Sequence, residues 1–323
     1  MNKPIAIIAG EPNSISSEII FKAWNQKKRY NHKPIFFIGS SNLLNLQKKK
    51  LKYKIKIKNL DNNFKIKDLK GNKLPVYNVD YRQKKPFEKI SNKSSKYILK
   101  CFEKAIQFAK NKKIIGFINC PVSKEFLFQK KHQGITEFLS KKSGSYGNEV
   151  MLIYNKSLSV TPLTTHIPID QVKSKIKKNL IINKLKVINT FYKAFFNKKP
   201  HFAILGLNPH NFYTSKNSKE KKNILSAIKT LKKNKIILKG PLPADSIFMN
   251  SRKNKFDVIV GMYHDQVLSP FKALYGYNAI NVTLGLPYIR VSPDHGVADD
   301  IKGKKIANPK SLIESIKFFN QIK

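Results

Sequence analysis

Short apolar runs alternate with stretches of helical spacing from the start of the chain. Residues 4–9 form an apolar run that ends at a glycine, residues 17–27 place apolar side chains at helical spacing, and residues 34–39 form another apolar run. Apolar runs that recur between amphipathic helices are typical of a mostly parallel sheet with helices on its faces. This alternation predicts an α/β fold.

The same alternation continues along the rest of the chain. Further strands are predicted at 114–119, at two places within 150–164, and at 201–205 and 257–262, and further helices at 96–110, 170–196, 220–233 and 309–321. Residues 44–75 are rich in lysine with alternating apolar positions, which predicts an edge hairpin. Residues 240–246 are predicted to form a loop, and Ser16 or Ser17 is expected to cap the first helix.

The length of the chain predicts two domains, because 323 residues exceed the usual size of one core. No apolar run is long enough to span a bilayer, and the N-terminal segment lacks the pattern of a secretory signal. Cys101 and Cys120 form no disulfide framework, which favours a reducing, cytoplasmic location. No membrane partner is expected.

The net charge of +44 introduces the alternative of a basic nucleic-acid-binding protein. Four of the 63 basic residues are arginine, namely Arg29, Arg82, Arg252 and Arg290. Recognition of phosphates and bases favours arginine for its planar fork, whereas lysine here is spread over the whole chain. We interpret the charge as the codon bias of an AT-rich genome and expect no nucleic-acid partner.

Residues 261–304 differ from the lysine-rich remainder because their polar side chains are varied. These side chains are His264, Asp265, Lys272, Asn281, Arg290, Asp294 and His295. The stretch follows the strand-like run 257–262, and ligands of open α/β sheets bind beyond the carboxyl ends of strands. We predict that it forms half of an active site.

Three histidines, His166, His210 and His264, each follow an apolar strand-like run closely. Strand ends of one sheet can converge, and three neutral imidazoles suit Zn²⁺ or a similar divalent cation with positions left for substrate. The alternative is that they are ordinary loop histidines. Asp245 and Asp265 are candidates for orienting ligands or moving protons, and turn or cap chemistry is their alternative role.

Lys272 and Arg290 are candidates for holding an anionic substrate, with Arg290 the better bidentate partner. Lys272 has the alternative of being a surface lysine, but its neighbours, among them Phe271 and Leu274, argue for a buried context. No Gly-x-Gly occurs in the chain, which excludes the usual dinucleotide fingerprint.

Five motifs together resemble the 4-hydroxythreonine-4-phosphate dehydrogenase family, whose members are NAD-dependent enzymes of pyridoxal phosphate (vitamin B6) biosynthesis. The motifs are TTHIP at 164–168, GLNPH at 206–210, GPLPADS at 240–246, YHDQVLSPFKAL at 263–274 and NVTLGLPYIRVSPDHGVADDIKGK at 281–304. The similarity extends from Gly10 to Gly303, and the last two motifs are long and specific. The implied reaction oxidises 4-phosphohydroxy-L-threonine to a 2-amino-3-oxo acid that then loses CO₂.

The resemblance implies an isocitrate/isopropylmalate dehydrogenase-like fold with two α/β/α domains around a central cleft. The expected domains are 1–130 plus 300–323, and 131–299, the second of which carries most metal and substrate residues. The implied assembly is a homodimer with its active site at the subunit interface. The implied cofactors are NAD, with NADP as an alternative, and a divalent cation such as Zn, Mg, Mn or Co.

The resemblance also assigns roles to individual residues. It matches His166, His210 and His264 to the metal ligands, and we expect these three with Asp245 and Asp265 to be catalytic. It matches Thr136, Lys272, Asn281 and Arg290 to substrate-binding positions. A metal bound to the substrate hydroxyl would lower the pKa of that hydroxyl, and hydride would pass to NAD⁺.

The sequence departs from the family pattern in three places. In the first loop Ser14, Ser16 and Ser17 replace two glycines and a proline, and Ile135 stands where the family has a substrate-contacting histidine. After His210 the usual small residues give way to Asn-Phe-Tyr-Thr-Ser. Because isoleucine cannot donate or accept a hydrogen bond, 4-phosphothreonate and 4-phosphoerythronate are alternative substrates.

Overall fold

The computed structural model describes residues 3–128, 134–209, 218–249 and 255–322. These residues form a mixed α/β fold, as the alternation of strand-like and helical stretches predicts. Within the described ranges, no helix combines the length and apolar character needed to cross a bilayer.

The strands lie along the chain in the order expected for repeated strand–helix units. They are β1 (Ile5–Ile8), β2 (Ile35–Gly39), β3 (Ile57–Leu60), β4 (Leu74–Asn78), β5 (Gly116–Asn119), β6 (Val150–Tyr154), β7 (Ser159–Pro162), β8 (Phe202–Leu205), β9 (Leu238–Leu242), β10 (Val258–Gly261), β11 (Ile280–Leu284) and β12 (Ile289–Pro293).

The helices occupy most of the segments between these strands. They are α1 (Ser16–Gln26), α2 (Ser41–Lys50), α3 (Ser95–Lys110), α4 (Lys124–Phe128), α5 (Ile135–Ser143), α6 (Ile169–Lys175), α7 (Lys178–Phe196), α8 (Lys219–Lys233), α9 (Ala244–Ile247), α10 (His264–Tyr275) and α11 (Lys310–Asn320).

The chain divides into two compact units. The first comprises Met1–Leu139 and Pro287–Ile322, and the second comprises Ser140–Leu286 and Lys323. The domain boundaries expected from the sequence stay a prediction, because compactness alone does not test independent folding.

In the first unit the strands follow the order β3-β4-β2-β1-β5-β12, and each neighbouring pair is parallel. All residues of β1 and β2 are buried. A parallel strand covered on both faces is apolar along its whole length, without alternation. This is why the continuous apolar runs 4–9 and 34–39 predicted these strands correctly.

In the second unit the strands follow the order β11-β6-β7-β10-β8-β9. Strand β6 is antiparallel to both of its neighbours, whereas β7, β10, β8 and β9 run parallel to one another. Helix α10 packs Val267, Leu268 and Phe271 into the core that Val160 and Ile259 supply from β7 and β10. This packing fixes the position of the helix that begins at His264.

Four local expectations are wrong. Residues 44–75 form no hairpin, because Leu43, Leu44 and Gln47 make the buried face of α2, and the strands that follow, β3 and β4, are parallel. The predicted helix 170–196 is two helices, interrupted where Ile176 and Lys177 adopt extended backbone.

The other two errors lie at element ends. The segment 240–246 is not a loop, because it contains the end of β9 and the start of α9. Neither Ser16 nor Ser17 caps α1; the cap position is Ile15, whose side chain makes no capping hydrogen bond, and the Ser16 amide donates to the Ser14 hydroxyl at 3.1 Å. Both serines lie inside the first turn instead.

Candidate functional site

The segments that carry the three predicted metal ligands leave the sheet of the second unit at one edge. Strand β10 lies between β7 and β8 and is parallel to both, so the carboxyl ends of the three strands meet at that edge. His166 follows β7, His264 follows β10, and His210 follows β8. His210 lies outside the described residues.

Hydrogen bonds continue past the ends of β7 and β10 and hold the two outgoing segments side by side. The Leu163 amide donates to the Gly261 carbonyl at 2.8 Å, and the Thr164 amide donates to the Met262 carbonyl at 3.2 Å. The Thr164 hydroxyl donates to the same Met262 carbonyl at 2.8 Å. The backbone is thus fixed two residues before each described histidine.

The rings of His166 and His264 lie close together as a result. Their centroids are 5.9 Å apart and their planes are tilted by 39°. A metal–nitrogen bond to imidazole is about 2 Å long, so one cation can contact a nitrogen of both rings at this spacing. No set of three His, Cys, Asp or Glu side chains gathers for a metal among the residues described.

Asp265 orients the ring of His264. The Nδ1 atom of His264 lies 2.7 Å from Oδ1 of Asp265. An Nδ1–H that donates to a carboxylate leaves Nε2 with its lone pair, which is the form of histidine that binds a metal. Asp265 also lies in the first turn of α10, where a negative charge favours the helix, so it serves both purposes.

Asp245 belongs to the same edge of the sheet. It lies in the first turn of α9, directly after β9, which is the parallel neighbour of β8. The Gly206 amide donates to the Leu242 carbonyl at 3.0 Å, so the segment that leads to Asp245 is attached to the segment that leads towards His210. The Asp245 side chain is exposed.

Lys272 and Asn281 occupy different settings in the second unit. Lys272 is exposed in the last turn of α10, and Leu274 beside it is 57% exposed, so the buried context expected for this lysine is wrong. Asn281 lies on β11, and its buried Oδ1 has no hydrogen-bond partner among the described residues. A buried acceptor of this kind is satisfied when a ligand donates to it.

Arg290 and Thr136 belong to the first unit. Arg290 lies on β12, is 3% exposed, and donates from Nε to Oδ1 of Asn119 at 2.7 Å. Burial lowers the pKa of Arg290 to about 10, which still leaves a cation at neutral pH. Thr136 is half-buried at the start of α5, beside the buried Ile135.

The serines of the first loop replace glycine without backbone strain. The Ser14 hydroxyl donates to the Glu11 carbonyl at 2.6 Å and lies 2.8 Å from the Ser16 hydroxyl. Neither serine adopts a positive φ. Gly10 cannot be replaced in this way, because a Cβ atom there would lie 2.1 Å from the Pro121 carbonyl oxygen.

The sequence analysis did not single out two polar residues, Glu11 in the first loop and Gln266 in helix α10. Glu11 is buried and accepts a hydrogen bond from the Ser94 hydroxyl at 3.0 Å, and burial raises the pKa of its carboxyl group. Gln266 bonds to the backbone of two separate loops. Its position inside the motif YHDQ was the signal available for it.

Comparison with known proteins identifies the family. A sequence model of the family described as "Pyridoxal phosphate biosynthetic protein PdxA" matches residues 31–319. The chain belongs to the PdxA family. The family resemblance indicated by the five motifs is thereby confirmed, and with it the predicted class, an oxidoreductase of pyridoxal phosphate biosynthesis.

Individual PdxA relatives match along almost their whole length. The 4-hydroxythreonine-4-phosphate dehydrogenase of Sulfurihydrogenibium sp. is 38% identical over 316 residues, which cover 97% of this chain and 96% of the relative. The enzyme of the same name from Aquifex aeolicus is 34% identical, and the match covers 100% of this chain and 99% of the relative. A crystal structure of 4-hydroxythreonine-4-phosphate dehydrogenase from Klebsiella pneumoniae superposes with a TM-score of 0.87 at 25% identity, covering 100% and 99% of the two chains.

Proposed function

We propose that the protein is a metal- and NAD-dependent 4-hydroxythreonine-4-phosphate dehydrogenase. It oxidises the secondary alcohol of 4-phosphohydroxy-L-threonine to a ketone, and the 2-amino-3-oxo acid that results loses CO₂. Its relatives carry this name over nearly the full chain. The structural observation that carries the proposal is the approach of the His166 and His264 rings at the carboxyl edge of parallel strands.

The proposed metal ligands are His166, His264 and His210, the last of which lies outside the described residues. The two described imidazoles fit a divalent cation because Asp265 holds Nδ1 of His264 and leaves Nε2 to donate electrons. Zn, Mg, Mn and Co are the candidates, and nitrogen ligands favour Zn and Co among them. Such a cation supplies Lewis-acid polarisation of the substrate hydroxyl.

The proton of the substrate hydroxyl needs an acceptor in the proposed reaction. Asp245 and Asp265 are the candidates, since each carboxylate lies in the first turn of a helix that follows a parallel strand, β9 or β10, and β8 lies between these two strands. Asp265 already contacts His264 and so primarily orients that ring. Asp245 is exposed at the same edge, and we assign it the proton-accepting role.

The proposed substrate-binding residues are Arg290, Lys272, Asn281 and Thr136. The guanidinium of Arg290 suits a phosphate or carboxylate because its fork makes two parallel hydrogen bonds. The buried Oδ1 of Asn281 suits a donor on the substrate, such as its ammonium group. Lys272 contributes a flexible positive charge, and the Thr136 hydroxyl contributes a donor and an acceptor.

The finer architecture belongs to the same proposal. We propose an isocitrate/isopropylmalate dehydrogenase-like arrangement, with a homodimer whose active site lies at the subunit interface. The family resemblance supports it. Refolding mixtures of inactive His166→Ala, His210→Ala and His264→Ala variants tests it, because a shared site would return about a quarter of wild-type activity in at least one pairing.

One observation favours a second substrate class. Ile135, which is 5% exposed, stands where the family has a substrate-contacting histidine. A pocket without that hydrogen bond suits a different 4-phosphorylated hydroxy acid, such as 4-phosphothreonate or 4-phosphoerythronate.

The deciding experiment measures NADH formation with each of these three substrates, with NADP⁺ as a parallel acceptor. We expect 4-phosphohydroxy-L-threonine to have the highest kcat/KM, and we expect a chelator to abolish turnover until a divalent cation is restored. Faster turnover of another substrate would move the assignment to that compound. Full activity in the presence of chelator would contradict the metal-dependent mechanism.

A further inference from the structure

The side chain of Gln266 joins two loops at the carboxyl edge of the second unit. Its Oε1 accepts a hydrogen bond from the Met262 amide at 2.6 Å, and its Nε2 donates to the Gly206 carbonyl at 2.8 Å. A primary amide provides an acceptor and a donor on one planar group. Both functions of this amide are used on main-chain atoms.

The two loops that Gln266 joins lead to proposed metal ligands. Met262 lies two residues before His264, and Gly206 lies four residues before His210. The Met262 carbonyl is in turn held by the Thr164 hydroxyl, which lies two residues before His166. Gln266 therefore connects the segments of His166 and His264 to the described residues 206–209, which precede His210 in the chain.

The position of Gln266 in its helix and the small size of Gly261 allow this contact. Gln266 lies in the first turn of α10 and reaches back past the cap residue Tyr263 to the Met262 amide, one residue beyond the amide that the glutamine of a capping box contacts. A Cβ atom at Gly261 would lie 2.5 Å from a methyl group of Val267 and 3.2 Å from Oε1 of Gln266. Gly261 thus keeps the end of β10 close to the helix.

We infer that Gln266 is a positioning residue for the metal site: it sets the separation between the segment that leads to His264 and the described residues 206–209, which precede His210 in the chain. The inference rests on the proposed metal-dependent function and adds a residue to that site. Both hydrogen bonds that Gln266 makes to described residues go to backbone atoms, so it acts through the histidines. Its loss releases the 206–209 loop from the Met262 segment and lowers the affinity for the cation.

The test measures Co²⁺ binding to the metal-free protein by calorimetry and by the visible absorption of the bound ion, without substrate. Gln266→Met removes both hydrogen bonds at similar volume. Gln266→Glu keeps the acceptor for Met262 but places a carboxylate against the Gly206 carbonyl. We expect both variants to bind Co²⁺ about 10- to 100-fold more weakly, with an altered absorption spectrum and faster hydrogen exchange at the Gly206 amide, which is hydrogen-bonded to the Leu242 carbonyl.

The glutamate variant separates geometry from charge. A new negative charge near a cation site strengthens binding by Coulomb attraction, so tighter binding in Gln266→Glu together with unchanged binding in Gln266→Met would overturn the inference. Wild-type affinity and spectrum in both variants would also overturn it. Gln107→Glu, on an exposed position of α3, is the matched control and should bind Co²⁺ as wild type does.

Failure of the proposed function gives a different result. If the wild-type protein binds no Co²⁺, the metal site itself is refuted, and with it this role of Gln266. If wild type binds and the His166→Ala and His264→Ala variants do not, the metal site stands and the two Gln266 variants decide the inference. Thermal unfolding of each variant confirms that binding is measured on folded protein.

Discussion

Asn119 holds the guanidinium of Arg290 through a 2.7 Å hydrogen bond from Nε to Oδ1, and each residue is 3% exposed. The two side chains come from the parallel neighbours β5 and β12. Burial lowers the pKa of Arg290 to about 10, so the group remains charged at neutral pH. The planar fork of a guanidinium makes two parallel hydrogen bonds to a carboxylate or phosphate, which is why we assign Arg290 to an anionic group of the substrate.

Replacing Arg290 by lysine should therefore reduce catalysis. An ammonium is a point charge that cannot reproduce the planar fork and cannot donate from the Nε position to Asn119. We expect kcat/KM for 4-phosphohydroxy-L-threonine to fall by at least about tenfold, or about 1.4 kcal/mol. Arg82→Lys at an exposed position is the control. An Arg290→Lys enzyme within about twofold of wild type would refute the role.

Removing either described histidine should remove the metal. His166→Ala and His264→Ala each delete one imidazole from the pair whose centroids lie 5.9 Å apart. We expect both variants to lose bound divalent cation and most of their turnover, as measured by metal analysis and NADH formation. His201→Ala alters an exposed histidine of the same unit and should keep both. Wild-type metal content in the His166 and His264 variants would contradict their assignment as metal ligands.

Alanine at Gly10 should destabilise the fold. The added Cβ would lie 2.1 Å from the Pro121 carbonyl oxygen and 2.9 Å from the Cys120 carbonyl carbon, so backbone must move. We expect the free energy of unfolding to fall by about 1–3 kcal/mol or more, measured by urea denaturation. At Gly296 a Cβ atom meets nothing within 4 Å, so Gly296→Ala is the control. Equal stability of the two variants would contradict the close approach.

Acid should weaken the fold through His295. Burial lowers the pKa of this histidine, against smaller opposing effects of Asp294 and of a hydrogen bond with the Asn308 backbone. A lowered pKa means that the unfolded chain binds the proton more readily. The contribution to stability is therefore present above the ordinary histidine pKa and is lost as pH falls through the folded value.

The measurement for His295 is the urea midpoint between about pH 8 and about pH 5, a range that spans the ordinary histidine pKa. Wild type should lose more stability over this range than His295→Gln does. A variant with the same pH slope as wild type would show that other groups carry the whole dependence.

Much of the fold could be predicted because buried parallel strands are continuous apolar runs. Helix α10 was not predicted, since Pro270 and Gly276 are usually signs of a break. It forms nevertheless because Val267, Leu268 and Phe271 pack into the core of the second unit. The many lysines of α2 obscured the apolar spacing of its short buried face. The alternation of lysine with apolar residues along 44–75 led to the incorrect prediction of a hairpin.

Some features of the candidate site could be predicted from the sequence, and others could not. Histidines directly after apolar runs indicated that His166 and His264 would lie at one sheet edge, because parallel strands end on the same side. The burial of Arg290 beside Asn119 had no sequence signal, since the two residues are 171 positions apart. Gln266 was equally hidden, because its partners are backbone atoms, which every residue type possesses.

The links between the loops of the second unit have a consequence for how this chain tolerates sequence change. Their acceptors at Met262, Gly206 and Leu242 are main-chain carbonyls, which remain whatever side chain a mutation installs. Thr164 and Gln266 supply the described side-chain donors. Substitutions to lysine, asparagine or isoleucine can therefore be tolerated at most positions of these loops, provided that Thr164, Gln266 and the histidines are kept.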